Sequence, residues 1–187
     1  MKTNFYTGVG SRETPKDVGE LMEQVAYKLA TDGYVLRSGG AAGADNYFYQ
    51  GAKRAFEEGY VKPCIYLSWN GMNELYHDEE KGLYVANRFV ATYPDAQAIA
   101  KDVRGSFDGL GRGGIAHHTR NVFQVIGHDL NTPSRFLICW AVPSGTAGRV
   151  KGGTNTAVKL ALRQGIEVIN LYETRAVDRV LAYLAGV

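Results

Sequence analysis

Four short stretches combine residue types that do chemistry with a backbone free enough to let them. The first is Gly8-Val9-Gly10-Ser11-Arg12. Its glycines let backbone N–H groups approach a ligand, and Arg12 offers a forked donor to a phosphate or carboxylate. Taken alone, the same residues make a tight strand-to-helix turn with a solvated arginine. The second, Ser38-Gly39-Gly40-Ala41-Ala42-Gly43-Ala44-Asp45, places nothing bulky before Asp45. A helix starting there presents free N–H groups and partial positive charge, which suits an anion. Asp45 either complements that helix dipole, or accepts from a ribose hydroxyl or serves as a base.

The third stretch is His117-His118-Thr119-Arg120-Asn121. Arg120, at an expected helix start, points toward the same ligand. Adjacent histidines do not share a helix face, so no paired zinc site is expected. A surface or structural role is the simpler reading of both, and a ligand or acid–base role is the alternative. The fourth spans residues 144–164, with Arg149, Lys151, Lys159 and Arg163 and no acidic residue. Within it, Gly152 and Gly153 permit close backbone approach, and Thr154 and Thr156 add hydroxyls at a helix start. Charge, glycine and hydroxyl together describe a phosphate cradle. It is neither GxxxxGK[ST] nor GxGxxG, and a solubilising basic face is the competing reading. Trp69 and Trp140 end expected strands and either flank a base or sugar or simply pack. Tyr47, Phe48 and Tyr49 read as core or interface residues.

Positioning these stretches requires a repeated strand, glycine loop and helix. Apolar runs predict strands at 4–9, 34–38, 64–69, 135–140 and 166–171. Apolar spacing of about four predicts helices from Pro15 to Asp32-Gly33, capped by Thr14, and at 44–57, 119–130, 154–164 and 177–184. Less regular patterning predicts helices at 83–93 and 95–103. Residues 104–118 hold five glycines and read as a long loop, a mobile lid or a disordered tether. The whole reads as one domain, 1–187, with a glycine-rich insertion or lid around 70–118. The fold class expected is α/β: a Rossmann-like, doubly wound, mainly parallel sheet with helices on both faces. Ligands of such sheets bind beyond the carboxyl ends of the strands, where every glycine loop falls.

Composition narrows the field. The chain of 187 residues is long enough for a sizeable core. It has 23 glycines, well above the roughly 7% of an average protein. A net charge of +2 argues against wholesale nucleic-acid binding. No apolar run approaches the ~18 residues of a membrane span, and Met1-Lys2-Thr3-Asn4 leads straight into a strand without a visible signal peptide. Two cysteines, Cys64 and Cys139, sit in apolar runs. They suit neither a disulfide scaffold nor a metal site, so a cytoplasmic protein without metal or cofactor is expected.

TGVGSRETP at 7–15, RSGGAAGAD at 37–45, HTRN at 118–121 and KGGTNTAVKLA at 151–161 together resemble the SLOG superfamily. That group includes the Lonely Guy phosphoribohydrolases and the Rossmann-like domain of the DNA-processing recombination mediators. The stretch from Ser38 to Asp45 is most similar to small stand-alone members of bacteria and phages. The resemblance implies a site for a nucleotide or nucleotide-derived ligand, lined by Gly10, Ser11, Arg12, Ser38, Gly39, Gly40, Gly43, Asp45, Arg120, Asn121, Gly152, Gly153, Thr154 and Thr156. The hydrolases carry PGGxGTxxE, whose glutamate serves glycosidic cleavage. Here Val158 or Lys159 stands in its place. Arg120 matches their catalytic arginine, while Asn121 replaces the following lysine, as in the mediators.

The expected function is therefore binding. The ligand would be a nucleotide or an ADP-ribose-type signal, held by a sensor or a sequestering protein, including one in phage counter-defence. The families it resembles imply a homo-oligomer. The alternative is a nucleoside monophosphate N-glycosidase using Arg120, with Asp45, Glu79, Glu80 or Asp108 replacing the missing glutamate. Single-stranded DNA binding ranks third, because nonspecific affinity scales with phosphate contacts.

Overall fold

The computed structural model describes residues 4–145 and 148–187. Six parallel strands form one sheet: β1 (Asn4–Gly10), β2 (Tyr34–Ser38), β3 (Cys64–Leu67), β4 (Leu83–Val85), β5 (Phe136–Trp140) and β6 (Glu167–Asn170). Their order is β4-β3-β2-β1-β5-β6. The chain builds outward from β1 to β4 and then crosses back to place β5 on the other side of β1. Thr7 pairs with both Arg37 of β2 and Leu137 of β5, and Gly10 ends β1 beside Trp140. The gap between the ends of β1 and β5 is the topological switch point, where doubly wound sheets leave a crevice.

Helices α1 (Lys16–Thr31), α2 (Ala44–Glu57) and α6 (Thr174–Ala185) cover one face, and α3 (Tyr93–Arg104), α4 (Arg112–Ile126) and α5 (Thr154–Arg163) cover the other. The strands are apolar on both sides, as a sandwiched parallel sheet demands. Tyr6, Leu36, Ile65, Leu67 and Ile138 face α1 and α2, whereas Val9, Tyr66, Leu137 and Cys139 face α4 and α5. Among the described residues, no helix is long and apolar enough to cross a membrane.

Two stretches depart from the sequence expectation. Residues 83–93 do not form a helix. Leu83–Val85 adds to the sheet beside β3, followed by a 3-10 turn at Ala86–Arg88. Three residues are too few to betray a strand period, and the pairing is set by a partner distant in sequence. Residues 104–118 are not one loop: α4 begins at Arg112, so Gly113 and Gly114 lie in its first turn. Thr14 is also not a helix cap. Pro15 takes the N-cap position, and the Thr14 hydroxyl donates to the Ser11 carbonyl at 2.8 Å, bracing the first glycine loop.

Gly8 shows why the sheet needs a glycine in its first strand. A methyl group there would lie 2.7 Å from Phe48 Cγ and 2.8 Å from Leu36 Cδ1. Gly153 is the opposite case, with φ of −63° and nothing within 4 Å of where a methyl group would stand. Gly8→Ala is therefore expected to cost about 1–3 kcal/mol through overpacking, and Gly153→Ala less than about 0.5 kcal/mol. Urea unfolding of the two variants checks this; equal midpoints would contradict the packing described.

Candidate functional site

A cleft of about 480 Å³ opens at the switch point. Its walls come from the loop after β1, the start of α2, the inner side of α4 and the loop before α5. Of the residues expected from sequence, Gly10, Ser11, Arg12, Asp45, Arg120, Asn121, Gly152, Gly153 and Thr154 border it. Ser38, Gly39, Gly40, Gly43 and Thr156 do not.

The floor is a buried ion pair. Arg120 and Asp45 are 5% and 3% exposed, and Nη1 donates to Oδ2 at 3.0 Å. Asp45 stands in the first turn of α2, and Arg120 is held on α4, so the pair ties one sheet face to the other across the strand ends. Burial pushes the Asp45 carboxyl above its ordinary range, while Arg120 and the backbone N–H groups of Ala41 and Gly10 pull it back down. Oδ2 of Asp45 is thus committed to Arg120, while the residue borders the cleft.

Gln124, one turn further along α4, extends the network. In the amide orientation that satisfies its neighbours, its oxygen accepts from Arg120 Nη1 and from the Gly39 N–H, both at 2.8 Å. Its nitrogen donates to Asn121 Oδ1 at 2.9 Å. Asn121 Nδ2 in turn donates to the Gly153 carbonyl at 3.1 Å. A continuous polar chain thus runs from α2 through α4 to the loop before α5. Arg120 Nε has no partner among the described residues, although it is buried.

The space beside the glycines of the second loop is taken up by this framework. A methyl group on Gly39 would occupy the space of the Arg120 guanidinium and lie 2.6 Å from Asp45 Oδ2. Gly40, at φ of +64°, packs under Leu67 and Leu75. Gly43, at φ of +81°, lets the first loop cross it, with the Ala44 N–H donating to the Ser11 carbonyl at 3.1 Å. Ser38 is fully buried and its hydroxyl has no partner among the described residues.

The loop before α5 is different in kind. Thr146 and Ala147, part of the expected basic stretch, lie outside the described residues. Further on, Lys151, Gly152 and Gly153 are exposed, and side chains added at either glycine would meet nothing within 4 Å. Helix α5 starts without a side-chain cap. Among the described residues, the N–H groups of Gly152, Gly153 and Thr154 find no acceptor. The three residues border the cleft at an uncapped helix start. The Thr156 hydroxyl is turned away and bonds His118 Nδ1 at 2.8 Å.

His117 and His118, for which a surface or structural role is the simpler expectation from sequence, both border the cleft, as do Glu13, Gly114, Gln124 and Lys151. His117 Nδ1 is 2.8 Å from Ser68 Oγ. Burial holds the His117 imidazole down, and the charges of Arg120, Arg12 and His118 add to this, giving a pKa of about 4. Burial also lowers His118, with help from Arg104 and Arg120. Both rings are thus uncharged near neutrality. Among the described residues there is no group of three or more histidine, cysteine, aspartate or glutamate side chains able to hold a metal ion. Glu79, Glu80 and Asp108, considered as replacement acids, do not border the cleft, and the Val158 side chain is buried in the core. A second cavity of about 220 Å³ lies at the opposite end of the strands beneath α6. Its lining is apolar apart from Arg179, which pairs with Glu167, and two tyrosines.

No protein-family model matches the chain, and no curated protein matches it. Among solved structures, it aligns over 98% of its length with 86% of the Moco carrier protein of Chlamydomonas rheinhardtii, at 18% identity and a TM-score of 0.50. It also aligns over 99% of its length with 82% of DNA processing protein A from Helicobacter pylori, described for its single-stranded DNA binding, at 14% identity and a TM-score of 0.41. The first likeness is one of fold, and it accords with the Rossmann-like architecture.

Two outcomes follow from this geometry. Arg120→Ala leaves a buried carboxylate unpaired, and Gly39→Ala evicts the guanidinium. Each is expected to cost about 3–5 kcal/mol, read from urea unfolding; a loss below about 1 kcal/mol would show the pair to be dispensable. In NMR titration of the free protein, His117 is expected to protonate near pH 4. Its folded pKa lies below its unfolded value, so its contribution to stability is present above about pH 6.5 and is lost as pH falls toward 4. A bound phosphate, by offsetting Arg12 and Arg120, raises the midpoint. A midpoint at or above 6.5 without ligand would contradict the described surroundings.

Proposed function

We propose that this protein holds a nucleotide or a nucleotide-derived molecule of the ADP-ribose type in the switch-point cleft, as a sensor or a sequestering protein. The observation that carries this reading is the start of α5. At three successive residues that border the cleft with Arg12 and Lys151, namely Gly152, Gly153 and Thr154, the N–H groups have no acceptor among the described residues, and two of the three residues carry no side chain. A helix N-terminus of this form favours a phosphate through its free donors and its dipole. Arg120, paired with Asp45 in the floor, has a buried Nε without a partner among the described residues. A holding role also suits the fold, which is shared with a protein named as a carrier of Moco.

Glu13 favours a second reading. It is a carboxylate bordering the cleft, and it is not paired with a cation among the described residues. A glycosidic cleavage needs such a group to support an oxocarbenium-like transition state. Release of free base from a nucleoside monophosphate, lost in Glu13→Gln, would establish turnover in place of holding.

Calorimetric titration with ADP-ribose and ADP tests the binding reading. Saturable binding to wild type is expected, weakened about tenfold or more in Lys151→Ala and in Gly153→Glu, since a charge-assisted hydrogen bond contributes about 1.5–3 kcal/mol. Absence of heat at millimolar concentrations of both ligands would overturn it.

A further inference from the structure

The cleft has a second end, away from the start of α5. Ser68 and Trp69 follow directly on β3, where the chain leaves the sheet. Trp69 is 43% exposed. Its indole meets the His117 imidazole with ring centroids 4.9 Å apart and planes inclined at 58°. His117 borders the cleft, and the Ser68 hydroxyl fixes it through Nδ1. The first turn of α4 keeps this flank bare. Gly113 approaches the indole, where even a methyl group would lie 3.7 Å from Cζ3, and Gly114 beside it borders the cleft.

These residues form an aromatic corner with one ring anchored and one ring open to solvent. We propose that Trp69 and His117 are a stacking shelf for the planar heteroaromatic base of the ligand, whose phosphate lies toward Gly152, Gly153 and Thr154. The proposal rests on the nucleotide reading of the cleft and deepens it by assigning the base end. Trp69 does not itself line the cleft but adjoins it through His117; a large apolar ring left open there is a surface on which a base π-face stacks, and such stacking tolerates any base. Because burial and neighbouring cations keep His117 uncharged, it offers a ring and no further positive charge. The other tryptophan is not equivalent. Trp140 is only partly exposed, and its ring packs on Tyr172 with centroids 5.8 Å apart.

The test compares AMP, GMP, CMP and UMP with ribose 5-phosphate, which has the same phosphate and sugar but no base. Each is titrated calorimetrically into wild type, Trp69→Leu and Trp69→Phe. Trp69 is exposed, so neither variant is expected to disturb folding. In wild type the nucleotides are expected to bind about 5- to 150-fold more tightly than ribose 5-phosphate, the range of one base stacked on an aromatic ring. Trp69→Leu should bring them down to the ribose 5-phosphate level and leave ribose 5-phosphate itself unchanged, and Trp69→Phe should restore part of the difference. Equal binding of nucleotides and ribose 5-phosphate to wild type would overturn the shelf alone. So would a Trp69→Leu variant that keeps full nucleotide affinity, or one that weakens every ligand equally. Binding of none of the five ligands would overturn the nucleotide reading and the shelf with it.

Discussion

Two opposite charges buried beneath the strand ends, Arg120 and Asp45, dictate much of what surrounds them. Taking both ions out of water is expensive, and an ion pair of this kind is often no more stable than apolar residues of similar volume. Stability alone therefore does not account for it. What the pair provides is position. It joins α2 to α4 across the sheet, and Gln124 and Asn121 carry the connection to the Gly153 carbonyl. The cleft walls are held by hydrogen bonds of known direction as well as by packing, which limits how far the loop before α5 can drift from the end of β1.

That constraint divides the glycines into two groups that composition makes look alike. At Gly39 and Gly43 the space left by the missing side chain is filled by the protein: a guanidinium in one case, the backbone at Ser11 and Arg12 in the other. At Gly152 and Gly153 the space is open. The first group builds the framework, and the second leaves backbone donors uncovered. A substitution at the first is felt as lost stability and at the second as changed surface chemistry, which is why glycine content by itself locates the crevice but not the ligand contacts.

Much of the architecture was legible in sequence. Strands β1, β2 and β5 and helices α2 and α5 follow from unbroken apolar runs, from helical spacing and from glycine at the boundaries. β4 was not, because Leu83–Val85 is a strand only by virtue of its pairing with β3. The start of α4 was misplaced because Gly113 and Gly114 argue locally for a loop, whereas they lie in the first turn of the helix. In the site, Arg12, Arg120 and the glycines before α5 were readable from residue type. Asp45 was legible as an acid in the first turn of α2 but its ion pair was not, since its partner lies 75 residues away. Gln124 left one signal, an amide flanked by apolar residues in Val122-Phe123-Gln124-Val125-Ile126. His117 and His118 were legible as candidates, but their place beside the cleft was not, because their surroundings come from β3, α5 and the first glycine loop.

The central claim is that the uncapped start of α5, set against a floor fixed by Arg120 and Asp45, is an anion site. Amide chemical shifts recorded while ADP-ribose is titrated into the isotopically labelled protein test it most directly. The account expects saturable downfield shifts of the Gly152, Gly153 and Thr154 N–H groups at a common affinity, as free donors acquire a phosphate acceptor. Saturable shifts confined to another surface, or no change in these three at millimolar ligand, would contradict it.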